Sequence, residues 1–150
     1  MIRKDFVIES EPRYLKPLRS KVRQFLERTR VSEKSIGVFL LAVGEACTNS
    51  IRHAYSGETR HKIRITVEDR SQKTVLKVRD YGRKIDLSKV KTPKLPPEKP
   101  HGLGIYLLKT IMDEVKYNTN HRLGNELILT KYKEQGEAHE NSSQKRKPGR

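Results

Sequence analysis

One long apolar stripe constrains the fold of this chain more than any other feature. A helix turns by about 100° per residue, so residues 36–54 collect a set of apolar side chains on one helical face. The members of this stripe are Ile36, Leu40, Val43, Cys47, Ile51 and Ala54. Ser32 is expected to cap this helix, and Glu33 places a negative charge in its first turn. A helix with such a stripe must bury it against a second layer.

Shorter periodic segments surround this helix. Alternating apolar and polar residues predict strands over residues 5–9, 62–67, 74–78, 115–117 and 127–129. The polar residues 69–72 favour an antiparallel hairpin. A helix opened by Pro12 follows from the spacing of Leu15, Leu18, Val22 and Leu26. A further helix is predicted over residues 104–115.

This order of elements indicates an α+β fold. We expect a two-layer α/β sandwich, with a mixed, mostly antiparallel sheet and the helices on one face. A chain of 150 residues suits one domain, assigned here to residues 1–133, with a polar and disordered tail over residues 134–150. Residues 83–100 hold four of the seven prolines and are predicted to be a loop. Loops longer than roughly 12–15 residues are often lids or binding loops.

Composition narrows the class of protein. The net charge is +15, and the tail, with four Lys/Arg and three Glu, contributes only +1, so residues 1–133 carry +14. Such a charge favours nucleic acid, acidic proteins or phosphorylated ligands. No apolar run approaches the roughly 20 residues of a membrane span, and the N-terminus lacks a secretion signal, so a cytoplasmic protein is expected. The single cysteine, Cys47, excludes an internal disulfide and is interpreted as a core residue.

Two polar residues lie on the long helix away from its apolar stripe. Glu45 and Asn49 are one turn apart, so their side chains are stacked on one face. The carboxylate of Glu45 can accept a proton, and the amide oxygen of Asn49 can bind a hard cation. Mg²⁺ needs few protein ligands because it keeps its waters and binds phosphate oxygens. Considered alone, this pair is more often two solvent-facing polar side chains.

Two glycine-containing segments add to this pair. Asp80 follows a predicted strand and precedes Gly82, so a carboxylate there could accept a hydrogen bond from an exocyclic amine. Gly102 and Gly104 open a helix, where free backbone N–H groups and the helix dipole favour an anion. The simpler alternatives are an Asp-x-Gly turn and a glycine-rich helix entry without a ligand.

The combination of these segments resembles the GHKL ATPase superfamily, whose ATP site lies in the Bergerat fold. The segment 41–55 resembles its N box, residues 80–82 its first glycine box, and residues 101–107 its second. More narrowly, the chain is similar to the bacterial anti-sigma-factor serine kinases, and the run over residues 102–115 is especially like theirs. The resemblance extends over about residues 5–133.

The resemblance implies a role for each matching residue. Glu45 is the implied general base, Asn49 the implied Mg²⁺ ligand and Asp80 the implied partner of the adenine amino group. The implied nucleotide-binding set is Asn49, His53, Asp80, Gly82, Gly102, Leu103 and Gly104. His53 is the weakest member of this set, because an ordinary surface histidine is the alternative. The cofactors implied are ATP and Mg²⁺.

The resemblance also implies partners. The reaction is phosphoryl transfer to a serine of an anti-anti-sigma antagonist of the STAS type, by a protein that also binds a sigma factor and forms a homodimer. Positioning and charge neutralisation do most of the catalysis in such transfers. Two alternatives stay open: a regulatory ATP-binding module without transfer, and a basic nucleic-acid-binding protein. Nine aromatic residues without a stacking pattern count against the nucleic-acid alternative.

Two positions depart from the family pattern. Lys84 stands where relatives often have a second glycine of the first glycine box. Asn125 and Glu126 follow Gly124 where many relatives carry two threonines, one of which helps to hold the base. The sequence leaves open whether that contact is lost or rebuilt.

Overall fold

The computed structural model describes residues 1–86 and 103–134. The five strands are β1 (Ile2–Glu9), β2 (Lys62–Asp69), β3 (Lys73–Asp80), β4 (Glu114–Tyr117) and β5 (Asn125–Tyr132). The three α-helices are α1 (Leu15–Glu27), α2 (Glu33–Asn49) and α3 (Leu103–Ile111). A 3₁₀ turn over Pro12–Tyr14 precedes α1, and a π-helix over Ser50–Ala54 continues α2.

The strands form one sheet in the order β1-β2-β3-β5-β4. All four ladders of the described strands are antiparallel, which confirms a mostly antiparallel sheet. The hairpin predicted at residues 69–72 joins β2 to β3. In the ladder between β3 and β5, Asp80 lies opposite Asn125 at one end. This end of the sheet therefore brings the Asp80 segment next to the start of β5.

Helix α2 lies at the centre of the helical layer, since it packs against α1, α3 and β3. Its predicted apolar stripe is confirmed, because every member is buried except the partly buried Leu40. Burial raises the pKa of the Cys47 thiol to about 12, so this residue is an uncharged member of the core. The two-layer arrangement with a helical face is confirmed as well.

The ends of α2 have different geometries. At the start, the Ser32 hydroxyl accepts a hydrogen bond from the Ser35 backbone at 3.1 Å, so the predicted cap is confirmed. At the end, the backbone N–H of Tyr55 donates to the carbonyl of Ser50 at 3.0 Å, five residues earlier. Such π-type turns are rare and often occur at functional sites.

The prediction of a helix through Val115 is wrong at its C-terminal end. The helix ends at Ile111, and Val115 lies in β4 opposite Leu129. The cause is competition from the sheet: the backbone N–H of Asp113 donates to the carbonyl of Thr130, at 2.9 Å, and so leaves the helical hydrogen-bond pattern. Val115 suits both periods, and tertiary pairing decides between them.

Parts of the predicted loop and tail fall outside the described residues. Residues 83–86 belong to no helix or strand, as predicted, whereas residues 87–102 and 135–150 are not described. No helix within residues 1–86 or 103–134 is both long and apolar enough to cross a bilayer.

Candidate functional site

The carboxylate of Asp80 is the most heavily hydrogen-bonded group at the end of the sheet. The side chain is buried at 1% exposure. Its Oδ2 accepts a hydrogen bond from the hydroxyl of Ser50 at 3.0 Å, and its Oδ1 accepts one from the backbone of Gly82 at 3.1 Å. Asn125 donates to the same Oδ1 through its backbone at 3.2 Å and its side-chain Nδ2 at 3.0 Å. All four hydrogen bonds, from three residues, are donated to the carboxylate, so the site is built around an acceptor.

Asn125 connects three segments through one amide group. Besides its bond to Asp80, its Nδ2 donates to the carbonyl of Arg83 at 2.9 Å. Its Oδ1 accepts from the backbone N–H of Ile85 at 2.8 Å. The preceding Gly124 has a φ of 73°, a conformation that favours glycine. A Cβ at Gly124 would also collide with the Asp80 backbone, so the glycine permits the close approach.

Gly82 packs against the end of the π-helix. The N–H of the next residue, Arg83, donates to the carbonyl of Ala54 at 2.8 Å. A Cβ at Gly82 would collide with that same carbonyl oxygen and lie 2.8 Å from a ring carbon of Tyr55. Tyr55 itself accepts a bond from the backbone of Tyr81 at 2.7 Å and donates to the carbonyl of Lys62 at 2.6 Å. The Asp80-Tyr81-Gly82 turn is therefore fixed from the helical layer.

The end of α2 presents polar groups that the described protein does not use. Asn49 is the last residue of the α-helix, and its Nδ2 is buried with no hydrogen-bond partner. Buried polar groups without partners are uncommon, so this amide is a candidate ligand contact. Glu45, one turn earlier, is half-buried and makes no hydrogen bond or ion pair with any residue in the described ranges.

A small cavity joins the two sides of this site. Its volume is about 10 Å³, which is roughly the space that one water molecule needs. A nucleobase is much larger, so it can reach these groups only from outside the cavity or after the walls move. The lining residues are Ala46, Asn49, Ser50, Val78, Asp80, Ile85, Tyr117, Asn125 and Leu127.

A half-buried tyrosine, Tyr117, completes the polar lining of the cavity. Burial raises the pKa of Tyr117 to about 12, and the negative charge of Asp80 adds to this effect. Tyr117 is therefore an uncharged hydroxyl at neutral pH. The cavity then contains a single formal charge among its lining residues, the carboxylate of Asp80.

The structure brings some of the sequence-predicted residues together. Asn49 and Asp80 both line the cavity, and Gly82 donates to Asp80. Glu45 and the exposed His53 do not line it, although both belong to the same continuous helical segment. Leu103 and Gly104 lie in the first turn of α3, which packs against α2.

Gly102 and His101 lie outside the described residues, so the second glycine box is only partly placed.

Three residues of the site were not selected from the sequence. Ser50 and Tyr55 follow Asn49 closely, but a serine and a tyrosine next to an apolar stripe are usually packing residues. Asn125 was noted only as a departure from a family pattern, and the structure shows that its amide contacts Asp80. The sequence feature that could have identified Asn125 is the pair Gly124-Asn125. A glycine that can adopt a positive φ is followed there by a side chain with both a donor and an acceptor.

The described residues hold no preassembled metal centre. No group of three or more His, Cys, Asp or Glu side chains within residues 1–86 and 103–134 is arranged to bind an ion. A cation at this site would depend on an isolated amide such as that of Asn49 and on oxygens supplied by a ligand.

These features define a nucleotide-binding α+β domain, and a family model supports the same class. The model of the histidine kinase-like ATPase domain matches residues 8–131, and the chain belongs to this family. The GHKL resemblance is thereby confirmed.

Several curated relatives are serine-protein kinases named RsbW. The protein of Bacillus velezensis is 31% identical over 134 residues, which cover 83% of this chain and 82% of the relative. The protein of Listeria innocua is 29% identical over 143 residues, or 90% of each chain. The protein of Bacillus subtilis is 30% identical over 134 residues, with 83% and 82% covered. The similarity to the serine-kinase branch of the superfamily is confirmed as well.

Proposed function

We propose that this chain is an ATP-dependent serine-protein kinase that acts as an anti-sigma factor. It transfers the γ-phosphoryl group of ATP to a serine of an anti-anti-sigma antagonist. The observation that carries the proposal is the cavity in which a buried, four-times hydrogen-bonded Asp80 faces the unpartnered amide of Asn49. The similarity to serine-protein kinases over more than four fifths of the chain supports the reaction class.

The residues present fit an adenine nucleotide. Asp80 is held as an acceptor by donors from three segments, so it can receive the exocyclic amino group of adenine. Gly82 has no Cβ, so the turn after Asp80 can lie close to Ala54 and Tyr55 and remain beside the acceptor that the base would meet. We propose both roles for this chain.

The residues also fit a magnesium ion bound mainly by phosphate. The Asn49 amide is not committed to the described protein, since its Nδ2 has no partner. Rotation of the amide presents its oxygen to a cation, and this hard oxygen is a suitable ligand for Mg²⁺. Mg²⁺ would neutralise the phosphate charge during transfer.

Glu45 is the proposed general base. It lies on the same face of α2 as Asn49, one turn away, and no described residue makes an ion pair or hydrogen bond with its carboxylate. An uncommitted carboxylate near the phosphate end can accept the proton of an incoming serine hydroxyl. His53, Gly102, Leu103 and Gly104 complete the proposed phosphate side.

The partners follow from this reaction. We propose a sigma factor and a STAS-type antagonist as alternative partners of a homodimer in the cytoplasm. Nucleotide state would shift the balance between them if ATP and ADP stabilise different conformations near the site. The charge of +14 on residues 1–133 suits acidic protein surfaces.

The test is a transfer assay with γ-labelled ATP, the native protein and its cognate antagonist. We expect label on the antagonist, and none on an antagonist whose acceptor serine is replaced by alanine. ATP binding without label on the antagonist would select the regulatory module without transfer. A salt-sensitive shift of DNA or RNA, with no effect of ATP on stability, would select the nucleic-acid-binding alternative.

A further inference from the structure

The side chain of Asn125 is fully used within the protein. Its two amide hydrogens are donated to Asp80 Oδ1 at 3.0 Å and to the Arg83 carbonyl at 2.9 Å. Its oxygen accepts the N–H of Ile85 at 2.8 Å. An asparagine amide offers two donors and one acceptor group, and each is engaged here. Asn125 therefore has no hydrogen left to donate to a bound base.

These hydrogen bonds connect the Asp80 carboxylate to the neighbouring segment that contains Ile85. Asp80 lies at the end of β3, Asn125 at the start of β5, and Ile85 in the segment after Gly82. Asp80, Ile85 and Asn125 all line the same cavity. The residue is buried at 8% exposure, so water cannot readily replace its partners.

We propose that Asn125 is a positioning residue for base recognition: it orients the Asp80 carboxylate and fixes Ile85 as part of the base-binding wall. This inference rests on the proposed function, because it requires an adenine nucleotide at Asp80. It differs from the contact that a threonine makes to the base in relatives, since Asn125 acts through its neighbours. The hydroxyl of a threonine has one hydrogen and an acceptor oxygen, so it cannot donate to both Asp80 and the Arg83 carbonyl as the Asn125 amide does.

The test compares the affinities of ATP and inosine triphosphate. Inosine triphosphate has no exocyclic amino group, so it gains little from a correctly oriented Asp80. We expect Asn125→Ala to weaken ATP binding about tenfold and to lower the ratio of ATP to inosine triphosphate affinity by a similar factor. Asn125→Thr should fall between the native protein and Asn125→Ala. For Asn125→Ala, kcat for transfer at saturating ATP should stay within about twofold of the native value. The KM for ATP should rise.

Asn120→Ala is the matched control. Asn120 is an exposed asparagine whose backbone, and not its side chain, makes the described hydrogen bond. Its replacement should leave both affinities unchanged. A second readout is amide hydrogen exchange, which should accelerate at Ile85 in Asn125→Ala and stay unchanged at Ile65 in the middle of β2.

The outcomes separate this inference from the proposed function. If the native protein binds no ATP, both are contradicted. If it binds and transfers, but folded Asn125→Ala or Asn125→Thr keeps the native ratio of ATP to inosine triphosphate affinity, only the role of Asn125 is overturned. An equal loss of affinity for both nucleotides also overturns it. Such a loss would indicate a general structural defect and not a loss of recognition of the amino group.

Discussion

The two sides of the candidate site differ in how the protein treats its own polar groups. On the sheet side, Asp80 accepts four hydrogen bonds and Asn125 uses its whole amide. On the helix side, Asn49 has a buried nitrogen without a partner, and Glu45 makes no hydrogen bond or ion pair with a described residue. The sheet side is organised before a ligand binds, whereas the helix side keeps groups available for a ligand.

This difference suits the two ends of a nucleotide. A base is neutral and rigid, so a preorganised acceptor can select it at little entropic cost. A triphosphate with Mg²⁺ carries its own charges and coordinating oxygens, so uncommitted side chains can bind to it. The difference also predicts that substitutions on the sheet side change stability and affinity together, whereas those on the helix side change mainly the reaction.

The largest effect is expected at Glu45. Glu45→Gln keeps the size of the side chain but removes the proton acceptor, so transfer to the antagonist should fall about 10²–10⁴-fold. ATP affinity and the melting temperature should remain close to native, because no described hydrogen bond or ion pair is lost. The measurement is the single-turnover rate of label transfer. Transfer at the native rate would show that Glu45 is not the base.

Asp80→Asn should have the next largest effect, on ATP affinity. The amide replaces one acceptor oxygen by a donor, which then faces the hydroxyl of Ser50 or the N–H groups of Gly82 and Asn125. We expect about a 100-fold loss of affinity and a loss of about 1–3 kcal/mol in the free energy of unfolding. Calorimetric titration with ATP and chemical denaturation measure the two. Native ATP affinity in this variant would show that adenine does not bind at Asp80.

Gly82→Ala tests the contact between the two layers. The added Cβ would collide with the carbonyl of Ala54 and the ring of Tyr55, so we expect a loss of about 1–3 kcal/mol in the free energy of unfolding. For a domain of this size the melting temperature should fall by several degrees. Gly37→Ala is the matched control, because its added Cβ would meet no atom within 4 Å beyond its chain neighbours and the backbone of its own helix. Equal melting temperatures for the two variants would contradict the tight approach.

Asn49→Ala should have the smallest effect on the protein itself. Removing a buried donor without a partner should leave the stability of the nucleotide-free protein unchanged or slightly higher. In contrast, the Mg²⁺ concentration for half-maximal transfer should rise about tenfold, because the cation loses a protein oxygen. A large loss of stability without nucleotide would show that the amide has a structural partner.

The sequence predicts the framework of this fold because its periods are long and consistent. The stripe from Ile36 to Ala54 and the alternation in β2 and β3 each bury one face, and the structure confirms them. Val115 was assigned to both a helix and a strand because it suits both periods, and only the hydrogen bond from Asp113 to Thr130 decides for the strand.

The site was predictable only where a residue has a distinctive chemical role. Asn49 and Asp80 were identified by type and spacing, and both line the cavity. Ser50 and Asn125 were not, because their function comes from which strand ends lie side by side. The pairing of Asp80 with Asn125 joins positions 45 residues apart, and no local pattern encodes it.

Thermal unfolding with ATP, with and without Mg²⁺, tests the central claim most directly. A micromolar affinity predicts stabilisation of about 2–4 kcal/mol at millimolar ATP. The increment due to Mg²⁺ should shrink in Asn49→Ala, and most of the effect of ATP should disappear in Asp80→Asn. No stabilisation by ATP, or equal stabilisation by inorganic tripolyphosphate, would contradict the account, because the base would then contribute nothing.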